Sequence, residues 1–227
     1  MTTEHYLKPQ WPVPPGIQAW QTTRLGGYSR NGYGEMNLAA TVGDDPQHLA
    51  KNRAKLKQDL SLPDEPAWIR LVHGNLALDA QDVSGVPDAD ATYTGQPNRV
   101  LLIPTADCLP VLFASRHGNE VAAAHAGWRG LSAGILENTL ARFRCPPEDV
   151  LAWFGPAISA KNFEVGEEVL AQFAKSHPGS ERFFDQGAKP GKYLADIYQL
   201  GRYALQRAGL RDCYGGGFCT VEDERFF

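Results

Sequence analysis

The feature of this sequence that most limits its fold is a set of short, almost uniformly apolar runs near the middle of the chain. They are Val100–Ile103, Pro110–Phe113, Glu120–Ala124 and Val150–Phe154. Runs of this length that do not alternate with polar residues are typical of strands covered by other elements on both faces. We therefore expect a sheet that is buried between two layers.

Helical patterns flank these runs. Asp45 and Pro46 offer an N-cap followed by a proline in the first turn, and they predict a helix from about residue 46 to residue 60. Apolar residues at three- and four-residue spacing predict further helices in Ser132–Arg144, Gly166–Lys175 and Tyr193–Ala208. Because strands and helices mix without strict alternation, we expect an α/β fold: a mixed β-sheet sandwich layered with helices, in a single domain over residues 1–227.

Composition and charge narrow the class of protein. The 227 residues include 22 Lys and Arg against 26 Asp and Glu, a formal net charge of −4 with His neutral. This balance argues against nucleic acid or an anionic membrane surface as the main partner. No apolar run approaches the roughly 20 residues needed to span a bilayer, and residues 1–16 lack the pattern of a secretory leader. We expect a cytoplasmic protein with no membrane partner, and the oligomeric state stays open.

Three metal-competent side chains each follow an apolar stretch: His73, Cys108 and His125. Strand ends in layered α/β folds meet at a common crevice. Two imidazoles and one thiolate suit Zn²⁺ in a tetrahedral field with one open position. Because their spacing matches no short zinc motif, two other interpretations stay open. In the first, the three side chains are buried and form hydrogen bonds with nearby groups. In the second, Cys108 is a nucleophile with His125 or His73 as its base.

The other histidines and cysteines have a less specific context. We expect the remaining cysteines to be buried free thiols and the histidines to be solvated; these residues are Cys145, Cys213, Cys219, His48, His117 and His177. No pair of cysteines shows CxxC spacing, so the sequence predicts neither a disulfide framework nor a redox pair.

Several motifs resemble the YfiH family, also called the laccase-domain or multicopper polyphenol oxidase family, which includes the FAMIN purine enzyme. The matching blocks are TTRLGGYS (Thr22–Ser29), VHG (Val72–Gly74), TADCLPVLF (Thr105–Phe113), HAGWRGL (His125–Leu131) and FGPAI (Phe154–Ile158). They cover nearly the whole chain in the expected order. The resemblance implies a YfiH-like fold in which His73, Cys108 and His125 bind one zinc and form the catalytic site. The chain departs from the family at Leu71, where a Gln is usual.

The resemblance implies phosphorolysis of purine nucleosides: inosine, adenosine or guanosine and phosphate give the free base and ribose 1-phosphate. Adenosine deamination and methylthioadenosine cleavage are implied as side activities. Alternatives are a peptidoglycan-editing hydrolase that removes L-Ser from UDP-MurNAc-L-Ser, a copper-dependent polyphenol oxidase, and a zinc-stabilised binding module. Laccase-type centres need many histidine ligands, and this chain has six His in all. We therefore expect zinc, with copper as the alternative ion.

The substrates would then be a small nucleoside and phosphate. Guanidinium groups bind oxyanions bidentately, so Arg129, four residues after His125, is the first candidate for a phosphate contact. Weaker candidates for substrate contacts are Arg53, Arg24, Asn37 and Asp107. The backbone amides of the glycine-rich segment Gly26–Gly34 are a further candidate for an anion site.

Overall fold

A computed structural model describes residues 4–227 of the chain; the first three residues, part of the segment in which we expected no leader, lie outside the described residues. The strands are β1 (Tyr6–Leu7), β2 (Gln21–Thr22), β3 (Ala77–Asp79), β4 (Ala91–Thr94), β5 (Leu109–Ser115), β6 (Val121–Ala126), β7 (Val150–Phe154), β8 (Glu164–Gly166), β9 (Phe184–Gln186), β10 (Lys192–Ala195) and β11 (Asp212–Gly215). The helices are α1 (Pro46–Asp59), α2 (Trp128–Ser132), α3 (Ile135–Leu140), α4 (Glu167–Ser176) and α5 (Ile197–Arg207).

A six-stranded mixed sheet forms the centre of the molecule, with strand order β11-β7-β5-β6-β4-β3. The inner pairs β7/β5, β5/β6 and β6/β4 are antiparallel, whereas the outer pairs β11/β7 and β3/β4 are parallel. A separate antiparallel sheet has the order β8-β10-β9, and β1 pairs with β2. The mixed α/β fold expected from the sequence is confirmed.

One face of the large sheet carries the main core. Side chains from β5 and β7, among them Phe113 and Phe154, share a buried cluster with Leu136 of α3 and Leu200 of α5. All four side chains are at most 2% exposed. Burying a side chain of this size stabilises the fold by about 1.5–3 kcal/mol, so this face holds the sheet and the helices together.

The other face of the sheet looks onto an N-terminal layer with its own smaller core. Tyr6, Met36, Leu38 and Leu56 form that second cluster. Between this layer and the sheet lies a cavity of about 1920 Å³, whose walls include Leu112 of β5 and residues of the N-terminal layer. The sheet is therefore covered on both faces, as its apolar runs predicted, but the second covering layer leaves a large internal space.

Three of the four predicted strands are confirmed, as β5, β6 and β7. The prediction for Val100–Ile103 is wrong: this run forms only an isolated bridge, between Leu101 and Ala67. The run lies along the wall of the cavity. Within residues 4–227 it forms no further β-bridge with another segment. Its residues are half-buried, and Leu102 packs against the N-terminal cluster rather than in the sheet.

The helices α1, α4 and α5 confirm three of the four predicted helices. The fourth prediction, Ser132–Arg144, and the predicted start of α5 are wrong. The segment Ser132–Arg144 is not one helix, because Gly134 adopts φ +90° between α2 and α3 and ends the hydrogen-bonded run. The segment Tyr193–Ala208 begins as strand β10. Helix α5 starts only after Asp196, whose side chain accepts a hydrogen bond from the backbone of Gln199.

The expectation that His177 is solvated is also wrong. Its side chain is buried, at 5% exposure, and its Nε2 lies 2.7 Å from Glu137 Oε1. It therefore joins the end of α4 to α3. Within residues 4–227, the longest helix has 14 residues, and no helix is long and apolar enough to cross a membrane.

Candidate metal centre

The pairing of two neighbouring strands brings Cys108 and His125 together. Cys108 directly precedes β5, and His125 lies near the end of β6. The two strands are antiparallel with Leu109 opposite Ala126, so the start of one lies beside the end of the other. With His73 added from a turn before β3, one potential ligand atom from each side chain lies within 4.8 Å of the other two.

His73 reaches this point because its backbone adopts an uncommon conformation. Its φ is +57°, in the left-handed region that residues with a side chain seldom occupy. The turn is held by the carboxylate of Asp90, which accepts hydrogen bonds from the backbone N–H groups of His73 at 2.9 Å and Gly74 at 2.7 Å. The sequence suggested that His73 follows a strand, but the structure places it in this turn.

His125 is almost completely buried, at 3% exposure, and its Nδ1 lies 2.9 Å from Asp90 Oδ1. Burial lowers the pKa of His125, but hydrogen bonds with Asp90 and Cys108 outweigh that effect and raise the pKa to about 9. Since Nδ1 is engaged by the carboxylate, Nε2 is the ring nitrogen left for another partner.

The pKa of His73 moves in the opposite direction. Partial burial lowers it first, and the positive charges that His125 and Arg129 can carry lower it further. His73 is therefore neutral at physiological pH, with a ring lone pair available to a metal ion. The imidazoles of His73 and His125 meet edge to face, with ring centroids 4.7 Å apart.

Gly127 leaves room for an ion between the three side chains. A Cβ atom at this position would lie 2.9 Å from Cys108 Sγ and 3.0 Å from His73 Cδ2. It would also lie 3.5 Å from His125 Cε1. Any side chain at residue 127 would therefore occupy the space toward which the three groups point.

This donor set fits one zinc ion. Zinc–nitrogen and zinc–sulfur bonds of about 2.0–2.3 Å place tetrahedral ligand atoms roughly 3.5 Å apart. The separations in the structure, at most 4.8 Å, exceed that value by no more than about 1.3 Å, so small rotations of the side chains would bring the three atoms to an ion. Two imidazoles and one thiolate leave a fourth position, and all three residues line the large cavity. Within residues 4–227 they form the one group of three or more metal-competent side chains, which does not match a centre with several coppers.

The predicted substrate residues fall into two groups. Arg53, Arg24, Asn37 and Asp107 line the same cavity as the metal ligands, whereas Arg129 does not. Arg129 is exposed, its guanidinium lies 4.4 Å from the centre of the Trp128 ring, and within residues 4–227 no carboxylate forms an ion pair with it. It is close enough to lower the pKa of His73.

Arg53 and Arg24, the two predicted substrate arginines that line the cavity, each already have a partner. The guanidinium of Arg53 lies 3.6 Å from the centre of the Trp68 ring and donates to the carbonyl of Leu38 at 3.0 and 3.3 Å. Arg24 donates to the carbonyl of Phe226 at 3.3 Å and lies over the ring of Phe227. Both groups are held in fixed positions along the wall.

The side chains of Asn37 and Asp107 differ in how many of their polar atoms already have hydrogen-bond partners. The Asn37 amide is buried and is used within its own loop, with bonds to Asp44 and to both backbone groups of Ala39. Asp107 is exposed, has φ +64°, and accepts a hydrogen bond from Thr220 at 2.5 Å. The residue that forms hydrogen bonds with both His73 and His125 is Asp90.

In the glycine-rich segment Gly26–Gly34, two of the first three backbone N–H groups already have partners. The N–H of Gly26 donates to the carboxylate of Glu35 at 2.6 Å. The N–H of Tyr28 donates to Asn52 at 2.8 Å. The protein's own side chains therefore occupy these donors.

Two residues of the site were missed in the sequence: Asp90 and Gly127. Asp90 directly precedes β4, in a segment too short and too polar to show a strand pattern. Gly127 lies inside the HAGWRGL block, and its lack of a side chain was the available signal. In both cases the role depends on contacts between distant segments.

Comparison with known proteins shows where this site belongs. Residues 18–227 match the model of a family described as multi-copper polyphenol oxidoreductase laccase. The chain belongs to this family. The resemblance inferred from the sequence motifs is thereby confirmed.

Curated relatives within this laccase-domain family have a shared name. The chain is 48% identical to "Purine nucleoside phosphorylase YfiH" of Escherichia coli K12 over 227 residues, which cover 97% of this chain and 91% of that protein. It is 44% identical to "Purine nucleoside phosphorylase PA4543" of Pseudomonas aeruginosa over 222 residues, 98% of this chain and 90% of that protein.

Solved structures agree with this assignment. The Neisseria meningitidis protein NMB0706 superposes with a TM-score of 0.94 at 42% identity, covering 98% of this chain and 92% of that one. YlmD from Geobacillus stearothermophilus gives a TM-score of 0.90 at 28% identity, covering 100% of this chain and 90% of that one. The laccase-domain fold therefore extends over the part of the chain that the structure describes.

Proposed function

We propose that this laccase-domain chain is a zinc-dependent purine nucleoside phosphorylase. Its substrates are inosine, adenosine or guanosine together with phosphate, and its products are the free base and ribose 1-phosphate. Adenosine deamination and methylthioadenosine cleavage are side activities of the same site. Residues 1–227 form one catalytic domain, and the enzyme works in the cytoplasm.

The observation that carries this proposal is the similarity to proteins named purine nucleoside phosphorylases along nearly the full chain, at up to 48% identity. The geometry supports it independently. The three metal-competent side chains lie in the wall of a cavity of about 1920 Å³, which is large enough for a nucleoside and phosphate together.

In phosphorolysis a phosphate oxygen forms a bond to ribose C1′ while the bond from C1′ to the purine nitrogen breaks. The electron pair of that bond goes to the purine, which then takes up a proton. The reaction brings an anionic nucleophile to the site, so a cationic side chain is needed to bind and orient the phosphate. We assign this role first to Arg129, whose guanidinium has no carboxylate partner within residues 4–227.

The cavity side of the site would bind the nucleoside. Arg53, stacked on Trp68, offers a flat cationic surface against which a purine ring can stack. The exposed carboxylate of Asp107, next to Cys108, can accept hydrogen bonds from ribose hydroxyls. Arg24 and Asn37 complete the wall, and Asn37 would have to exchange one of its loop contacts for a substrate contact.

His73, Cys108 and His125 would hold the zinc ion. When bound, zinc supplies a Lewis acid that polarises and orients an oxygen of the substrate and has no redox chemistry of its own. We prefer zinc to copper because the chain provides one three-ligand site with a thiolate, whereas oxidase chemistry requires several coppers.

The test is an assay of the purified protein with inosine in the presence and absence of phosphate. We expect hypoxanthine and ribose 1-phosphate to be released in equal amounts, and only when phosphate is present. The same preparation is incubated with UDP-MurNAc-L-Ser and with a phenolic substrate under oxygen. Release of serine, or oxidation of the phenol, without phosphorolysis would contradict the proposal.

A further inference from the structure

We infer that Asp90 is a positioning residue that presets both metal-binding imidazoles through one buried carboxylate. The inference rests on the proposed binding of a divalent ion by His73, Cys108 and His125. It does not depend on which reaction the site performs.

The contacts of Asp90 are all with hydrogen-bond donors. Its Oδ1 lies 2.9 Å from His125 Nδ1 and 2.9 Å from the backbone N of His73. Its Oδ2 lies 2.7 Å from the backbone N of Gly74 and 3.4 Å from that of Val72. The residue is fully buried, at 0% exposure, so water does not compete for these bonds.

The first consequence concerns the ring of His125. A carboxylate beside Nδ1 requires a proton on that nitrogen, so Nε2, on the far side of the ring from Asp90, is the nitrogen left for a metal ion. The backbone adds a second restraint, because the N–H of His125 donates to the carbonyl of Asp90 at 2.7 Å. Nδ1 is therefore committed to Asp90, and the ring orientation is fixed, before a metal ion arrives.

The second consequence concerns the turn that carries His73. A residue with a side chain at φ +57° costs roughly 1–3 kcal/mol, which the surroundings must offset. The three N–H groups of Val72, His73 and Gly74 all point at the Asp90 carboxylate. Charge-assisted bonds of this kind are about twice as strong as neutral ones, so Asp90 stabilises the turn and places His73 opposite His125.

Asp90→Asn is a sharp test because the two side chains have the same shape. An amide must turn its NH2 group toward one of the two sets of donors. If NH2 faces His125, it favours the tautomer with the proton on Nε2, which blocks that nitrogen as a ligand. If it faces Gly74, its oxygen still accepts from His125 and from the His73 N–H, but the N–H groups of Gly74 and Val72 lose their acceptor. Neither orientation satisfies all four donors, whereas the backbone bond between residues 90 and 125 is unaffected.

The matched control is Asp88→Asn. Asp88 lies two residues away in the same segment, but its carboxylate is about half exposed and pairs with Arg70 rather than with either histidine. We expect zinc affinity, measured by competition with a chromophoric chelator, to fall 10- to 100-fold in Asp90→Asn and to stay unchanged in Asp88→Asn. Equal affinity of Asp90→Asn and the unaltered protein would overturn the role of Asp90.

A second measurement on the unaltered, metal-free protein does not depend on how well the variant folds. We expect nitrogen-15 NMR to show His125 protonated at Nδ1, and hydrogen exchange to show a protected Gly74 amide that becomes unprotected in Asp90→Asn. A His125 ring with no proton on Nδ1, or an unprotected Gly74 amide in the unaltered protein, would contradict the inference. If the unaltered protein binds no zinc, the proposed metal site itself is wrong and this role falls with it.

Discussion

At the scale of single residues, the candidate site depends as much on an absent side chain as on the three that converge. His73, Cys108 and His125 were recognisable in the sequence because each is a metal-competent residue after an apolar stretch. Gly127 was not singled out, although a Cβ there would lie 2.9 Å from Cys108 Sγ. Its φ is −62°, which any residue adopts. The requirement for glycine at residue 127 is therefore steric and local to the site.

This gives a prediction for Gly127→Ala. The methyl group would push the thiol and the His73 ring apart, so we expect zinc affinity to fall at least tenfold with little change in melting temperature. Isothermal titration or chelator competition, together with thermal unfolding, measures both quantities. Gly32→Ala is the control, because a Cβ at residue 32 meets no atom within 4 Å. Unchanged zinc binding by Gly127→Ala would show that the ion does not sit where we place it.

At the scale of elements, strand pairing and helix ends decide what the sequence could predict. The long apolar runs predicted β5, β6 and β7, because burial on both faces leaves a clear pattern. Strand β4 escaped prediction because its four residues, Ala91–Thr94, include two threonines and are buried between β3 and β6. For the same reason, the contacts of Asp90, which directly precedes β4, could not be predicted from the sequence.

The link between α3 and α4 gives a second prediction. Replacing His177 by Ala removes the buried partner of Glu137, whose other oxygen, Oε2, is buried without a partner. The loss of such a bond costs about 1–3 kcal/mol. That cost corresponds to a fall in melting temperature of roughly 2–12 °C for a chain of this size.

His48→Ala is the control for that experiment, since His48 lies on the surface of α1 and is 4.0 Å from its nearest carboxylate partner, Asp44. Thermal unfolding of both variants, followed by circular dichroism, distinguishes the two sites. Equal melting temperatures for His177→Ala and His48→Ala would contradict a stabilising contact between α3 and α4.

At the scale of the whole molecule, the sheet separates two environments. On one side it packs tightly against α3 and α5; on the other it faces the N-terminal layer across a large cavity. The sequence predicted the sheet and its two coverings but not this space, because a cavity depends on how distant segments pack. The run Val100–Ile103 illustrates the difficulty, since it is apolar as a strand would be yet lines the cavity.

The central claim is that three distant side chains hold one zinc ion on which phosphorolysis depends. The most direct measurement is elemental analysis of purified protein, combined with inosine phosphorolysis in the same sample, for the unaltered chain and for His125→Ala. We predict one zinc per chain in the unaltered protein, and the loss of both zinc and phosphorolysis in the variant. Full phosphorolysis by zinc-free protein, or several coppers per chain, would contradict the account.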